Sequence, residues 1–277
     1  MLLLFKAFIF KIFRDLTFRI TLIIGAGIAI FMALLYALLD ASLDLEGVKM
    51  LTGQGMLVNS MSPVQNYGIA IPVNLITFTC LEFSQGTIRN KIIAGHSKAK
   101  IYASLFLSGL IFAFLLLGVY LGICTALGTI FGGFDLDVVT MAGTGYGMFG
   151  AKYILQMLLA CVVTYISVVS FTIFFATLFR SIGPSIPVVM ILLMICYLGA
   201  TIVSAMALFD MPGLEILINF MKVINPLYAL GSSPSLDANN KFYLENDVVI
   251  ASVISNLVYA TIFFVGGIFI FKKRDVK

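Results

Sequence analysis

KIYASLFLSGLIFAFLLLGVYLGICTALGT, Lys100 to Thr129, carries no charged residue after its first position. Wound as a helix it is about 45 Å long, more than the ~30 Å hydrocarbon thickness of a bilayer. Similar runs recur at about 18–39, 64–83, 151–179, 185–208 and 248–271. Composition agrees: of 277 residues, 61% are hydrophobic and 11% charged, with a mean hydropathy of +1.10. Soluble domains carry about a quarter charged residues, so a water-soluble globule is excluded. Lipid offers no partner for open backbone groups, which leaves helices or a closed barrel. The runs are continuous rather than alternating, and that selects helices. The expectation is an all-α integral membrane protein, one transmembrane domain over 1–277, with six transmembrane helices.

The segment before this run, LEFSQGTIRNKIIAGHSKAK, is different in kind. Leu81 to Tyr102 hold Arg89, Lys91, Lys98 and Lys100 together with His96, the single histidine of the chain. The other basic clusters are Lys6, Lys11, Arg14 and Arg19, then Arg180, then the tail FKKRDVK from Phe271. These segments alternate along the six runs with acidic ones holding Asp40, Asp44, Glu46, Asp135, Asp137, Asp210, Glu215, Asp237, Glu245 and Asp247. Basic flanks mark the cytoplasmic side. Both termini and the Leu81–Tyr102 segment are therefore expected in the cytoplasm of a cell whose plasma membrane holds the chain.

At the N-terminus, Phe5, Ile9, Ile12 and Leu16 share one helical face, with Lys6, Lys11, Arg14 and Asp15 opposite. That pattern predicts an interfacial amphipathic helix over 1–17. Lys6 and Lys11 interrupt the apolar run and no small-residue cleavage site follows, so a cleavable leader is not expected. Near the other end, FDMPGLEILINFMKVINPLYAL, residues 209–230, is apolar but broken by Pro212, Gly213 and Pro226. Its Asp210, Glu215 and Lys222 would each cost about 2.5–3.5 kcal/mol at the bilayer centre. The segment reads as a re-entrant outer hairpin before the last span, or else as an amphipathic helix on the outer surface.

Enzymatic chemistry finds no footing. A zinc protease needs two histidines at helical spacing, and an aspartyl site needs two aspartates at membrane depth. The cysteines Cys80, Cys124, Cys161 and Cys196 lie inside apolar runs without metal-ligand spacing and read as small hydrophobes. No metal site and no cofactor is expected, and nothing suggests nucleic acid. The string Thr144-Gly145-Tyr146-Gly147 echoes a potassium-channel filter, but the preceding FGGFDLDVVT is no pore helix. A flexible glycine-rich outer loop accounts for it. The second run, SPVQNYGIAIPVNLITFTCLE, is the most polar. Asn66, Asn74, Thr77 and Thr79 either line a substrate path or bond neighbouring helices together. Pro72 would loosen that helix. Gln156 and Asn256 stand alone and read as packing. No G-x-x-x-x-G-K-[ST] loop occurs, so ATP-driven work would need a second chain.

Glu82-x-x-x-Gly86-Thr87-Ile88-Arg89, followed by Gly95-His96-Ser97-Lys98 and a third span, resembles the first cytoplasmic loop of ABC-2 type ABC transporter permeases. Six runs, the N-terminal helix, the basic tail and Asn225-Pro226 before the last span extend the resemblance over nearly the whole chain. It implies the transmembrane subunit of an exporter, paired with a second permease as homodimer or sister. Separate ABC ATPase subunits would carry ATP and Mg. Cargo would be an amphipathic peptide, drug or lipid-like molecule. The loop, residues 83–98, would form a coupling helix docked on the ATPase. Within it Ile88, Ile92 and Ile93 would be apolar anchors, Arg89 and Lys91 a polar rim, and Gly86 and Gly95 brackets. Glu82 is placed to cap that helix or to pair with a basic residue, and Thr87 completes the motif. The alternative is a channel not driven by ATP, or an accessory membrane subunit, whose basic loop only sets orientation.

Overall fold

The computed structural model describes residues 2–14, 16–43, 49, 51–62, 68–134, 139–142, 145–207, 215–232 and 234–273. Five helices among them are long and apolar enough to cross a membrane: α2 (Leu16–Leu43), α6 (Lys98–Gly132), α7 (Ala151–Phe179), α8 (Ile182–Ala207) and α11 (Asn246–Lys273). The chain is thus a multi-pass, mainly helical membrane protein. Around them lie α1 (Leu2–Arg14), α3 (Gly53–Ser60), α4 (Ala70–Ser84), α5 (Thr87–Ile93), α9 (Glu215–Ile224) and α10 (Tyr228–Gly231). Two short antiparallel ribbons complete the fold: β1 (Val139–Ala142) with β2 (Gly145–Met148), and β3 (Ser235–Leu236) with β4 (Phe242–Tyr243).

The second apolar run forms a shorter helix than expected. α4 has 15 residues, about 22 Å against the ~30 Å hydrocarbon core. Pro72 sits in its first turn, where a missing amide leaves no helical bond unmade, so it does not loosen α4. Proline stands inside a long helix at Pro187 of α8 instead.

α7 and α11 make the most extensive helix pair. α7 is also the most enclosed long helix, with Tyr165, Val169, Ser170, Ile173 and Ala176 buried. α2 and α8 are peripheral and turn Ile23, Phe31, Leu38, Ile191 and Ile195 outward. Such faces are stable against lipid and would be costly in water.

α3 lies between the first two apolar runs of the sequence. Thr52 caps it, its hydroxyl accepting from the Gly55 amide at 3.0 Å. Gln54, Met56, Val58 and Ser60 are buried against α6. Glycines permit that approach: a Cβ on Gly132 would stand 1.5 Å from the Leu51 carbonyl oxygen, and one on Gly128 2.6 Å from that of Thr52. The Gly145-Tyr146-Gly147 part of the filter-like string is strand β2, paired with β1, rather than flexible loop; Thr144 lies outside the described residues. The Gly147 position is filled from outside, since a Cβ there would meet Leu236 at 2.5 Å.

The N-terminal helix is seated differently from its sequence pattern. Phe8 and Ile12 enter the core, Phe5 and Ile9 are half-buried, and Leu16, 67% exposed, begins α2 on the outside. Lys11, placed on the outer face by periodicity, turns inward to Glu82. Asp15 lies outside the described residues.

The close α3–α6 packing makes Gly132→Ala a sharp test. The methyl would collide with backbone, which cannot rotate away, so we expect a loss of about 1–3 kcal/mol, read as a lowered unfolding temperature in detergent. Gly118→Ala, with nothing near its Cβ, should be neutral.

Candidate functional site

The basic segments of the sequence converge at one end of the bundle. α4 ends at Ser84, the chain turns at Gly86 with φ +68°, α5 runs for seven residues, and Gly95 with φ +85° releases the chain into α6. Both glycines hold left-handed backbone that a side chain would strain. The short helix expected between them is present. Ser97 caps α6, accepting from the Lys100 amide at 3.4 Å.

Glu82 is the centre of this end. It is 1% exposed and bound on several sides. Lys11 of α1 reaches Oε1 at 2.5 Å, while Lys91 and the Thr87 hydroxyl of α5 reach Oε2 at 2.7 Å each. Thr87 also donates to the Glu82 carbonyl at 2.8 Å. The carboxylate caps no helix; α5 has no side-chain cap. One buried charge thus ties α1, α4 and α5 together. Aromatic rings wall the site. The Lys91 ammonium stands 3.5 Å from the Phe8 ring centre, and Phe8 meets Phe78 of α4 edge-on. Burial holds the Lys91 ammonium below the usual lysine range, and the Glu82 carboxylate opposes that shift.

This geometry corrects two of the expected docking residues. Ile88 is 1% exposed and belongs to the chain's own core, so it is not an outward anchor. Lys91 faces Glu82 and is not a rim. Ile92 is half-buried against the core. Arg89, Asn90 and Ile93 remain outward, Ile93 being 73% exposed. His96 is half-buried in the turn, its amide donating to the Lys91 carbonyl at 3.2 Å. Two more contacts join this end to the long helices. The Arg180 guanidinium lies 5.4 Å from the Phe83 ring, and Phe83 packs on Phe271 of α11. Lys98 donates to the Lys272 carbonyl at 3.2 Å.

Of the path candidates, Asn66 lies outside the described residues. Asn74 donates to the Thr21 hydroxyl at 2.9 Å and to the Ala70 carbonyl at 2.7 Å, bonding α4 to α2. Thr77 is half-buried and bonds back to the Val73 carbonyl. Thr79 is fully buried. Asn74 therefore holds two helices together, and the buried Thr79 hydroxyl meets no partner among the described residues. Among the described residues no three His, Cys, Asp or Glu side chains gather as metal ligands would.

A second polar centre was not legible as such. Asn256 of α11 is fully buried. Its oxygen accepts from Ser167 of α7 at 2.6 Å, and its amide donates at 2.9 Å to the carbonyls of Ser252 and Pro226. Thr164 donates to the Pro226 carbonyl at 3.3 Å. Asn225 donates to the Cys196 carbonyl of α8 at 2.6 Å, and its oxygen accepts from the Leu227 amide at 3.0 Å. Asn256, Thr164 and Cys196 each lie about 15–20 Å along their helices from the ends near α9, by helical rise. The Asn225-Pro226 break is held at that depth. Nearer the surface, Lys222 of α9 meets Asp247 at 2.9 Å and Glu245 at 3.4 Å. Gln156 is likewise engaged, exchanging two hydrogen bonds with the Leu244 backbone.

Replacing Glu82 with Gln should be costly, because Lys91 would keep its burial and lose its counter-charge. Breaking a buried pair on one side costs about 3–5 kcal/mol. We expect a matching fall in detergent stability, with Glu82→Gln/Lys91→Met recovering a substantial part of it. Equal instability of the two variants would show that the charge pairing is not what holds this end.

A family model described as a protein of unknown function, DUF2705, matches residues 7–277. No curated protein matches the chain. With that match running almost from end to end, the chain belongs to the DUF2705 family.

Proposed function

We propose that the chain is the permease subunit of an ATP-driven exporter, working as a pair of permeases above separate ABC ATPase subunits. In this reading α4 counts as a span beside the five long helices. Both termini and α5 lie in the cytoplasm, α1 lies along the membrane interface, and α9 to Pro226 is a re-entrant element from the outer side. The depth at which Asn256 and Thr164 hold the Pro226 carbonyl supports that last assignment.

The observation that carries the reading is the Glu82 tie. A force applied to the outward face of α5 cannot be absorbed locally, because Lys91 and Thr87 bind α5 to α4 and Lys11 binds α4 to α1. Arg89, Asn90 and Ile93 face out from that rigid unit, a small apolar and cationic surface suited to docking in a groove. Closure of ATPase subunits on nucleotide would move α1, α4 and α5 as one body. The resemblance of Glu82-x-x-x-Gly86-Thr87-Ile88-Arg89 to the permease loop points the same way. Cargo of the amphipathic peptide, drug or lipid-like class is in keeping with the apolar body of the protein.

The test is co-purification. The chain, expressed with a candidate ABC ATPase, should bring down that G-x-x-x-x-G-K-[ST] protein. Arg89→Ala/Ile93→Ala should reduce that yield at least five-fold without lowering the permease's unfolding temperature. Full retention of the ATPase by this variant would refute docking through α5. Ion currents from the purified chain alone in liposomes would favour the channel instead.

A further inference from the structure

A cleft of about 290 Å³ opens between α7 and α8, bounded also by α9 and α11. It lies near the middle of all three long helices, with Phe171 of α7, Leu193 of α8 and Phe263 of α11 in its walls. Ile224, Asn225 and Pro226 close one end. A second apolar cavity of about 210 Å³ lies beyond Val168 and Leu193, which border both. Apolar voids thus lie on both sides of Val168 and Leu193, while α7 and α8 pack on each other through Ala176 and Val189 nearer the turn that joins them.

We infer that the larger cleft is a specific binding site for one acyl chain of a bilayer phospholipid, which fills it and completes the packing of α8. Four observations point to hydrocarbon from the membrane. The cleft sits where five long apolar helices place the bilayer interior, and acyl chains are the solvent at that depth. The polar groups in its wall are already engaged: Ser167 with Asn256, Asn225 with the Cys196 carbonyl, and the Tyr259 hydroxyl with the Ile224 carbonyl at 2.7 Å. Nothing polar is left to bind a headgroup or to hold water, which needs two to four partners. Left empty, the lining side chains would lose contact on one side. Leu192 and Ile195, at the rim, are exposed and apolar, so the mouth is continuous with a lipid-facing surface. Most of the rest of the wall is Val, Phe, Leu, Ile and Met side chains, which suit a hydrocarbon chain.

This inference is independent of the exporter reading, since any chain with this cleft in a bilayer would bind lipid there. The protein contains no tryptophan, so one introduced tryptophan reports on its own site alone. Phe263→Trp places it in the cleft wall, and Phe31→Trp, at a position 62% exposed on α2, places it against ordinary surrounding lipid. Each is reconstituted in dioleoylphosphatidylcholine vesicles and mixed with vesicles of dibromo-stearoyl phosphatidylcholine, whose chains quench tryptophan.

At full exchange, Phe263→Trp should be quenched at least as deeply as Phe31→Trp, and more slowly after mixing. Filling the cleft with Gly199→Phe should cut the Phe263→Trp quenching at least three-fold and leave Phe31→Trp unchanged. A Cβ on Gly199 meets only the Asn225 amide, at 3.6 Å, so the site has room. Cys196→Phe serves if that variant does not fold. Weak quenching of Phe263→Trp throughout would overturn the inference. If dilution into excess lipid restored it, the occupant is a second copy of the chain. Quenching as fast as that of Phe31→Trp and indifferent to both fillers would also overturn it, by showing only annular lipid.

Discussion

A bilayer interior accepts apolar side chains readily and offers nothing to an open amide or carbonyl. Long helices meet that constraint by bonding their own backbone. Wherever this chain interrupts a helix at depth, side chains must supply what the backbone lost. The Pro226 carbonyl is such a case, received by Asn256 and Thr164 from two different helices. Asn225 does the converse, reaching from the break to a carbonyl of α8. Three amide and hydroxyl side chains thus permit a broken segment to sit among α7, α8 and α11.

Charge obeys the same constraint at the two ends, with opposite composition. At the basic end one buried carboxylate, Glu82, serves two lysines. At the other end one lysine, Lys222, serves two carboxylates, both more than half exposed. The first cluster is walled by Phe8, Phe78 and the α5 turn, so Glu82 and Lys91 have little water to fall back on, while Lys11 is 40% exposed. The second can exchange its partners for solvent at small cost, since exposed pairs contribute about 0–1 kcal/mol. The consequence is mechanical. α1, α4 and α5 are bound as a unit, whereas α9 is held at its last turn, by exposed ion pairs of Lys222 and by the hydrogen bonds of Asn225 and Pro226 just beyond.

The sequence carried the class of the fold in its run lengths, and α5 in its bracketing glycines. What it did not carry was partnership across distance. Lys11 and Glu82 are 71 residues apart, and periodicity within α1 alone assigns Lys11 to the outer face. Helical periodicity describes one element's faces, while a buried counter-charge on another element can draw a lysine inward past them. Ile88 shows the same limit: an apolar residue in a cytoplasmic turn is equally suited to a partner or to its own bundle. α3 was hidden for a different reason. Its closeness to α6 depends on the absence of side chains at Gly128 and Gly132, and missing atoms leave no hydropathy signal. Asn256 looked isolated because its partners lie on α7 and beyond Asn225, nearly a hundred residues away in the one case and about thirty in the other.

The distribution of tight and loose contacts bears on how such a protein can move. α7 and α11 form an enclosed pair whose polar groups are bonded to each other, so relative sliding would break several hydrogen bonds at once. Among the described residues a weak sulfur contact ties α8 to α4 and Asn225 bonds it to the break, and two apolar cavities lie beside it. Apolar contact is non-directional, and lipid chains replace it at little cost, so α8 is the long helix best able to shift without leaving polar groups unsatisfied. Its Pro187 lies near the basic end, where a bend would swing the far part of the helix. On the exporter proposal, the Glu82 tie at one end, the α7–α11 spine and the helix beside the cavities would be the parts that convert a push on α5 into an opening beside α8.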